Sequence, residues 1–404
     1  MVSIRRFGGV DSGTKEHVVC IEDADGKILG ERKFPHTGAG IAEMCDWLIA
    51  TSGGDPSQIA VGIETTRGAV IETMLERGIV VYAINPKQLD RFRDRFTVAG
   101  AKDDRRDARV LASSLRTDRK AFRLLQVETA RIIQLRCYSR LYDEVTAESV
   151  RESNRLHAEL LRYYPQFLEL AGVGDLSTPW LLKLWKLAPS PAVAARIQEK
   201  TIAKLLVESR IRRVTAKEVL SILRQKPLTV APGTTEAAVA HIELLVERLL
   251  LLAKQLSKVE KKRERLLDEE PAKKGEQRDV DILRTLPGVG DGVAATLLTE
   301  ASQPLLRDYP TMRSLCGVAP VTKQSGKSTV VTMRRACNHR LRGAVFHWAN
   351  NAKKYDPKTR VDYEALRARG KKYGTALRII ANRLLKIACA MLRDRTEYAA
   401  PLAA

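Results

Sequence analysis

Six cysteines are scattered through 404 residues, and no two form a Cys-x-x-Cys pair. Cys20, Cys45, Cys137, Cys316, Cys337 and Cys389 therefore offer neither a zinc knuckle nor a disulfide framework, which leaves reduced, mostly buried thiols. No apolar run approaches the length of a bilayer span, and no apolar segment follows the first basic residues to direct export. The expectation is a cytoplasmic protein with no membrane partner. A glycine pattern that would cradle a nucleotide phosphate is also missing, so an actin-like ATPase ranks last among the classes considered. Acidic residues are in deficit as well: 48 Asp and Glu face 69 Lys and Arg, for a net charge of +21.

That excess is unevenly placed. Residues 301–404 hold 21 Lys and Arg against 6 Asp and Glu, an excess of 15. A surface this basic attracts polyanions through counterion release, and nucleic acid is the commonest such partner. A solubilising face or an anionic membrane surface is the competing explanation.

The chain reads as three segments. Residues 1–124 are α/β, with short apolar runs at Phe7–Asp11, His17–Ile21 and Lys27–Phe34 separated by turn chemistry at Asp23-Ala-Asp-Gly26. A helix over Gly40–Thr51, the strand Ile59–Ile63, another helix and the strand Ile79–Ile84 follow, which predicts a mixed or parallel sheet covered by helices. Residues 125–275 read as helical, with Ile132, Leu135 and Tyr142 on one apolar face. There Ala238, Ile242, Leu245, Leu249, Leu252, Leu256 and Val259 form a heptad seam, broken at Arg263 and resumed at Leu266. Coiled-coil pairing and an intramolecular helical hairpin both account for it. A proline-punctuated stretch, 165–235, reads as an inserted helical lobe. After a polar linker, residues 276–404 are mostly α.

Four carboxylates stand where strand ends present chemistry. Asp11 closes the first strand and Glu64 the strand after the hairpins, while Asp104 and Asp107 open a helix three residues apart and so share its face. Oxygen ligands of this kind suit Mg²⁺, with Mn²⁺ as a substitute, and two such ions about 4 Å apart stabilise both oxygens of a phosphoryl transfer. Lys102, Arg105, Arg106 and Arg109 would balance the acids or reach toward phosphates. Each carboxylate taken singly is equally a cap or turn residue, and Asp103 competes with Asp104.

Toward the C-terminus, Leu283-Arg-Thr-Leu-Pro-Gly-Val-Gly290 has the form of a helix-hairpin-helix, whose Gly288 and Gly290 would expose amides to a DNA phosphate. An ordinary Pro-Gly turn between helices explains the same residues. Hydroxyls then stand among lysines in Cys316-Gly-Val-Ala-Pro-Val-Thr-Lys-Gln-Ser-Gly-Lys-Ser328, with Lys323 and Lys327 beside Ser325. Spacing alone makes these solvent-exposed turn residues. Downstream, Arg334, Arg335, Arg340, Arg342, Lys353, Lys354, Lys371 and Lys372 form a basic series interleaved with Trp348, Tyr355, Tyr363 and Tyr373, which suits either base stacking or core packing.

The segments Gly9-Val-Asp-Ser-Gly-Thr-Lys15, Ile63-Glu-Thr-Thr-Arg-Gly68, Ile84-Asn-Pro86 and Lys102-Asp-Asp-Arg-Arg-Asp-Ala108 resemble the DEDD transposases of insertion sequences. That resemblance implies an RNase H-like, RuvC-like N-terminal domain with Asp11, Glu64, Asp104 and Asp107 as its acidic tetrad. A Lys-Thr-Asp-Arg motif is usual in the family, and here Asp103 replaces the Thr. Gly-x-x-Pro followed by Gln-Ser-Gly is similar to the family's C-terminal transposase domain, which implies Ser325 as the nucleophile joined covalently to DNA, with Ser328 and Thr322 as lesser candidates. Family resemblance further implies composite sites in a dimer or tetramer, a structured guide RNA from the element itself, and a prokaryotic cytosol or nucleoid. The alternatives are a metal-dependent, junction-resolvase-like nuclease in which water attacks, and a non-catalytic nucleic-acid scaffold whose acids are helix caps.

Overall fold

The computed structural model describes residues 4–95, 103–173, 175–269, 277–301, 303–326 and 328–399. The chain divides into two compact units, residues 1–129 and 130–404.

The first unit is a mixed six-stranded sheet carrying helices. Strands β1 (Arg6–Ser12), β2 (Glu16–Asp23) and β3 (Ile28–Pro35) form an antiparallel meander. Its second turn is built by Asp23, whose carboxylate accepts the N–H groups of Asp25 and Lys27 at 3.0 and 2.9 Å. After α1 (Gly38–Thr51), β4 (Ile59–Ile63) pairs parallel to β1, and after α2 (Ala69–Glu76), β5 (Val80–Ala83) pairs parallel to β4. Two helices follow, α3 (Pro86–Arg93) and α4 (Asp104–Asp118), and then the short antiparallel edge strand β6 (Arg123–Leu124), which was not expected from the sequence. The resulting order, β3-β2-β1-β4-β5-β6, is consistent with an RNase H-like fold.

Alternation along β1 sorts the two faces. Val10 joins Val19, Ile21, Met44, Leu48 and Met74 in the core beneath α1 and α2, whereas Phe7 joins Ala60, Leu111 and Leu115 on the face covered by α3 and α4. Gly9 lies on the second face, and a Cβ there would stand 2.0 Å from the Ala108 carbonyl oxygen and 2.6 Å from the Ala112 nitrogen. The missing side chain is what lets α4 lie directly on the sheet.

The second unit is helical. Its frame is a hairpin of two long helices, α5 (Ala130–Tyr163) and, after the lobe between them, α11 (Thr234–Asp268). The lobe holds α6 (Pro165–Glu169), α7 (Pro179–Leu187), α8 (Pro191–Arg196), α9 (Glu199–Glu208) and α10 (Ala216–Leu223). Pro165, Pro179 and Pro191 each start a helix, where a missing N–H costs nothing, which explains why a proline-rich stretch is helical. Leu156 and Leu160 pack with Ala238, Ile242 and Leu245, whereas Leu135 packs with Leu266 and Leu267, so α5 and α11 run antiparallel. The heptad seam is thus buried largely within its own chain, which selects the intramolecular hairpin over intermolecular coiled-coil pairing. Arg263 interrupts the seam, and its buried guanidinium lies 4.3 Å from the centre of the Tyr142 ring and 3.7 Å from Glu260 Oε1.

Beyond residue 276 come α12 (Asp279–Arg284), α13 (Asp291–Glu300), α14 (Gln303–Arg307), α15 (Tyr309–Leu315), the hairpin strands β7 (Val321–Ser325) and β8 (Ser328–Thr332), and α16 (His339–Tyr355), α17 (Pro357–Ala368) and α18 (Tyr373–Asp394). Leu135, Leu266 and Leu267 share one hydrophobic core with α12, α13, α16 and α18, so the segments expected at 125–275 and 276–404 form a single compact unit. No helix among the described residues is long and apolar enough to cross a membrane.

Candidate functional site

Two acids of the first unit are brought together by sheet register. Val10 pairs with Ile63 across the parallel strands β1 and β4, and Asp11 in β1 and Glu64 just after β4 each follow a member of that pair. Helix α4 runs antiparallel to β1. Arg116, late in α4, reaches Glu22, which pairs with Phe7; Arg109, two turns earlier, reaches Glu31, which pairs with Cys20 and through it with Gly9. Continuing in that direction carries the first turn of α4, with Asp104 and Asp107, toward the C-terminal ends of β1 and β4, where Asp11 and Glu64 stand. Four acids separated by up to 96 positions therefore lie toward one end of the sheet.

Their side chains differ in setting. Asp104 is exposed, whereas Asp107 is buried and its Oδ1 accepts from Arg93 Nε at 2.8 Å, with Nη2 also at 2.8 Å. Arg93 also donates to Asp90 Oδ1 at 2.7 Å, so α3 holds the Asp107 carboxylate from the side. Among the described residues, no group of three or more His, Cys, Asp and Glu side chains stands close enough to hold a metal ion. Hard oxygen donors at one end of the sheet fit a divalent cation in kind; their side chains are not gathered about a single point. Asp103 is the N-cap of α4, accepting the Arg105 N–H at 3.3 Å.

The cations expected near the tetrad divide. Arg105 is exposed and Arg106 half-buried, whereas Arg109 grips Glu31 with both arms of its guanidinium and fixes α4 to β3. Lys102 lies outside the described residues, as does Lys327. Arg93 had no signal in the sequence, since fourteen residues separate it from the acid it contacts.

In the second unit, Ser325 is the last residue of β7, exposed and paired across the hairpin with Ser328. Gly326 begins the turn at φ 56°, the left-handed conformation that two-residue hairpin turns require. The expected loop is thus a protruding β-hairpin, exposed along most of both strands, with Thr322 and Lys323 on the same strand as Ser325.

The glycine turn of the expected helix-hairpin-helix sits between α12 and α13. A Cβ on Gly288, which has φ 78°, would stand 2.5 Å from the Ala352 nitrogen in α16, so this glycine serves close helix packing. Trp348 is fully buried and donates from Nε1 to the Pro287 carbonyl at 2.9 Å, which makes it core rather than a stacking surface. Gly290 is exposed, with nothing within 4 Å of a Cβ position. Its neighbour Asp291, paired with Arg284 at 2.9 Å, already places a carboxylate at that helix start.

Of the basic series, Arg335 is exposed, and Arg334 and Arg342 are half-buried. Arg340 differs: it contacts Asp143 at 2.6 Å, Glu300 at 3.1 Å and Ser139 at 3.2 Å, so its charge is committed inside the fold rather than to nucleic acid. Glu300, nearly inaccessible, also takes both arms of Arg140 at 2.9 Å and Asn338 Nδ2 at 3.2 Å. Tyr373 and Tyr355 remain exposed, and Lys353 Nζ lies 4.6 and 5.2 Å from the ring centres of Tyr363 and Tyr373.

Sequence comparison places both halves. Residues 8–165 match the model of the DEDD transposases, and residues 280–364 match the domain described as the transposase of the IS116/IS110/IS902 family. A protein of Sinorhizobium fredii, provisionally named a transposase, is 54% identical over 211 residues, which cover 52% of this chain and 58% of that protein. The mini-circle protein of IS117 from Streptomyces coelicolor, also provisionally named a transposase, is 29% identical over 95% of this chain and 92% of its own. The insertion element IS110 protein of the same organism is 27% identical over 97% of this chain and 95% of its own. A DEDD module followed by this second module defines an insertion-sequence transposase. The chain belongs to the IS116/IS110/IS902 transposase family.

Proposed function

We propose that the chain is a metal-assisted DNA recombinase that moves an insertion sequence through a serine–DNA covalent intermediate. What supports this reading is the C-terminal end of the central strands β1 and β4, where Asp11 and Glu64 follow the Val10–Ile63 pair and toward which the first turn of α4, seated over Gly9, carries Asp104 and Asp107. Asp11, Glu64, Asp104 and Asp107 of this RuvC-like unit would hold Mg²⁺ or Mn²⁺. When bound, the ion neutralises charge on a scissile phosphate and on the leaving oxygen.

Ser325 supplies the nucleophile. Its Oγ gives up a proton and bonds to phosphorus while the phosphorus–oxygen bond to the leaving strand breaks, and that strand's oxygen takes up a proton. A hydroxyl from a second strand end then attacks the phosphoserine and restores Ser325, so the bond energy is conserved and no ATP is consumed. Lys323 lies on the hairpin and the exposed Arg335 just beyond it, with no acidic residue between positions 321 and 335, and they favour the developing anion.

The tetrad and Ser325 belong to different compact units, an arrangement that composite sites in a homodimer or homotetramer accommodate. A net charge of +21 suits DNA together with a structured guide RNA encoded by the element, acting in the cytosol or nucleoid. The test is Ser325→Ala with a nicked suicide DNA substrate. Loss of the protein–DNA adduct is expected, and an undiminished adduct removes Ser325 from the mechanism. Cleavage that continues with no adduct in the parent protein would point to the resolvase-like nuclease, with water attacking.

A further inference from the structure

Half-buried arginines in the second unit are generally matched by acids. Arg140 and Arg340 share Glu300, Arg284 pairs with Asp291 and Asp268, and Arg307 and Arg395 share Asp279. Four arginines around Gly317–Ala319, at the base of the Ser325 hairpin, break that rule. Arg378 Nη1 donates to the Val318 carbonyl at 2.9 Å, and Arg334 Nε to the Ala319 carbonyl at 3.4 Å. Arg342 packs its Cδ against Gly317, 3.4 Å from a Cβ position, and its Nη2 meets His339 Nδ1 at 2.9 Å. Arg313 accepts the Val318 and Ala319 N–H groups at its own carbonyl, at 3.0 and 2.9 Å, and its guanidinium lies 5.7 Å from the centre of the Tyr309 ring.

All four are half-buried, and none makes an ion pair with Asp or Glu among the described residues. Arg313 Nε is buried with no acceptor. Burial, and then the neighbouring charge of Arg313, holds Arg378 below the ordinary arginine value. Like charges kept together out of full solvent oppose folding unless an anion joins them, and the planar guanidinium fork matches phosphate oxygens.

We propose that this arginine cluster is a phosphodiester-binding site that grips the DNA backbone a short distance from the phosphate presented to Ser325. Strand β7 sets that distance, since its four steps from Val321 to Ser325 span about 14 Å, or roughly four nucleotides at a rise of 3.4 Å each. Choosing DNA as the source of the phosphates rests on the function proposed above.

The experiment uses the full chain in a Ser325→Ala background, so that binding is read without chemistry. Affinity for a labelled duplex DNA, and for an RNA of matching sequence, is measured between about 50 and 200 mM salt. Arg313→Gln with Arg378→Gln should lower the slope of log affinity against log salt by about one to two, equally on unrelated DNA sequences, because phosphate contacts carry no sequence. Arg378→Lys keeps the charge and should keep the slope. Arg313→Gln alone removes no side-chain hydrogen bond to the backbone, and with its fold checked by thermal melting it should still lower the slope by about one. An unchanged slope in the double variant, or a loss confined to RNA, overturns the proposal. Adduct formation is scored separately on the Ser325-bearing chain. An absent adduct with a reduced slope defeats only the serine mechanism, and a present adduct with an unchanged slope defeats only the arginine site.

Discussion

Replacing Gly9 with Ala tests whether close contact between α4 and the sheet is what assembles the acids at one end of the sheet. The added Cβ would stand 2.0 Å from the Ala108 carbonyl oxygen, and both this atom and the Ala112 nitrogen at 2.6 Å are helix backbone, which cannot rotate away. Ordinary contact begins near 3.4 Å, so α4 must lift by about 1.4 Å, carrying Asp104 and Asp107 with it. Overpacking of this kind costs about 1–3 kcal/mol, which for a unit of this size lowers the thermal midpoint by roughly 4–12 °C. Gly8→Ala is the matched control. Its Cβ faces the opposite core, 3.2 Å from Val61 Cγ2 and 3.5 Å from Leu48 Cδ2, which are side-chain ends free to adjust. Calorimetric titration with Mn²⁺ and thermal melting are read on both variants. Gly9→Ala should weaken Mn²⁺ binding and melt earlier, while Gly8→Ala stays near the parent in metal affinity. Equal metal affinity and melting in parent and Gly9→Ala would refute the reasoning.

Three further outcomes are expected. Glu300→Ala removes the acid that Arg140 grips with both arms and one of the two acids on Arg340, which keeps Asp143, so urea unfolding should show a loss of about 3 kcal/mol, the low end for breaking a buried pair; a change below about 1 kcal/mol would mean the acid is not the hub of that network. Arg93→Gln leaves the Asp107 carboxylate buried without its cation and should lower the melting midpoint, with millimolar Mn²⁺ restoring more of it than in the parent protein; no differential recovery would place Asp107 outside the metal set. Burial, and next His36, holds His17 below its ordinary value, and its Nδ1 is buried without a hydrogen-bond partner while Nε2 lies 2.8 Å from His36 Nδ1. The unfolded chain therefore takes up a proton near pH 6.5 that the folded state resists, so stability present above that pH is lost as pH falls below it. His17→Phe should flatten the pH dependence of melting between pH 7 and 5, and an identical slope in the variant would exclude His17 as its source.

Much of the first unit was legible because short apolar runs, turn chemistry and helix caps are local signals. The strand Ile59–Ile63 has the bounds its apolar run implied, while β1 and β2 extend one or two residues beyond the runs that marked them and β3 is shifted by one. The edge strand β6 escaped, being two exposed residues without a pattern. In the second unit the heptad spacing specified a helix and its apolar stripe but was silent on which surface would cover it. Likewise Gly288 reads identically as a phosphate-exposing turn or a packing glycine, until α16 is seen against it.

The sequence by itself determined the acids, the serine, the glycines and the distribution of charge, since these are properties of residue type and spacing. Only the tertiary structure decided that Gly9 seats α4, that Arg93 holds Asp107, that Arg340 faces inward to Glu300, and that four arginines with no acidic partner among the described residues ring the base of the Ser325 hairpin. Each of these depends on pairs of residues brought together from different elements, and such a pairing is fixed by packing and desolvation, which no periodicity along the chain encodes.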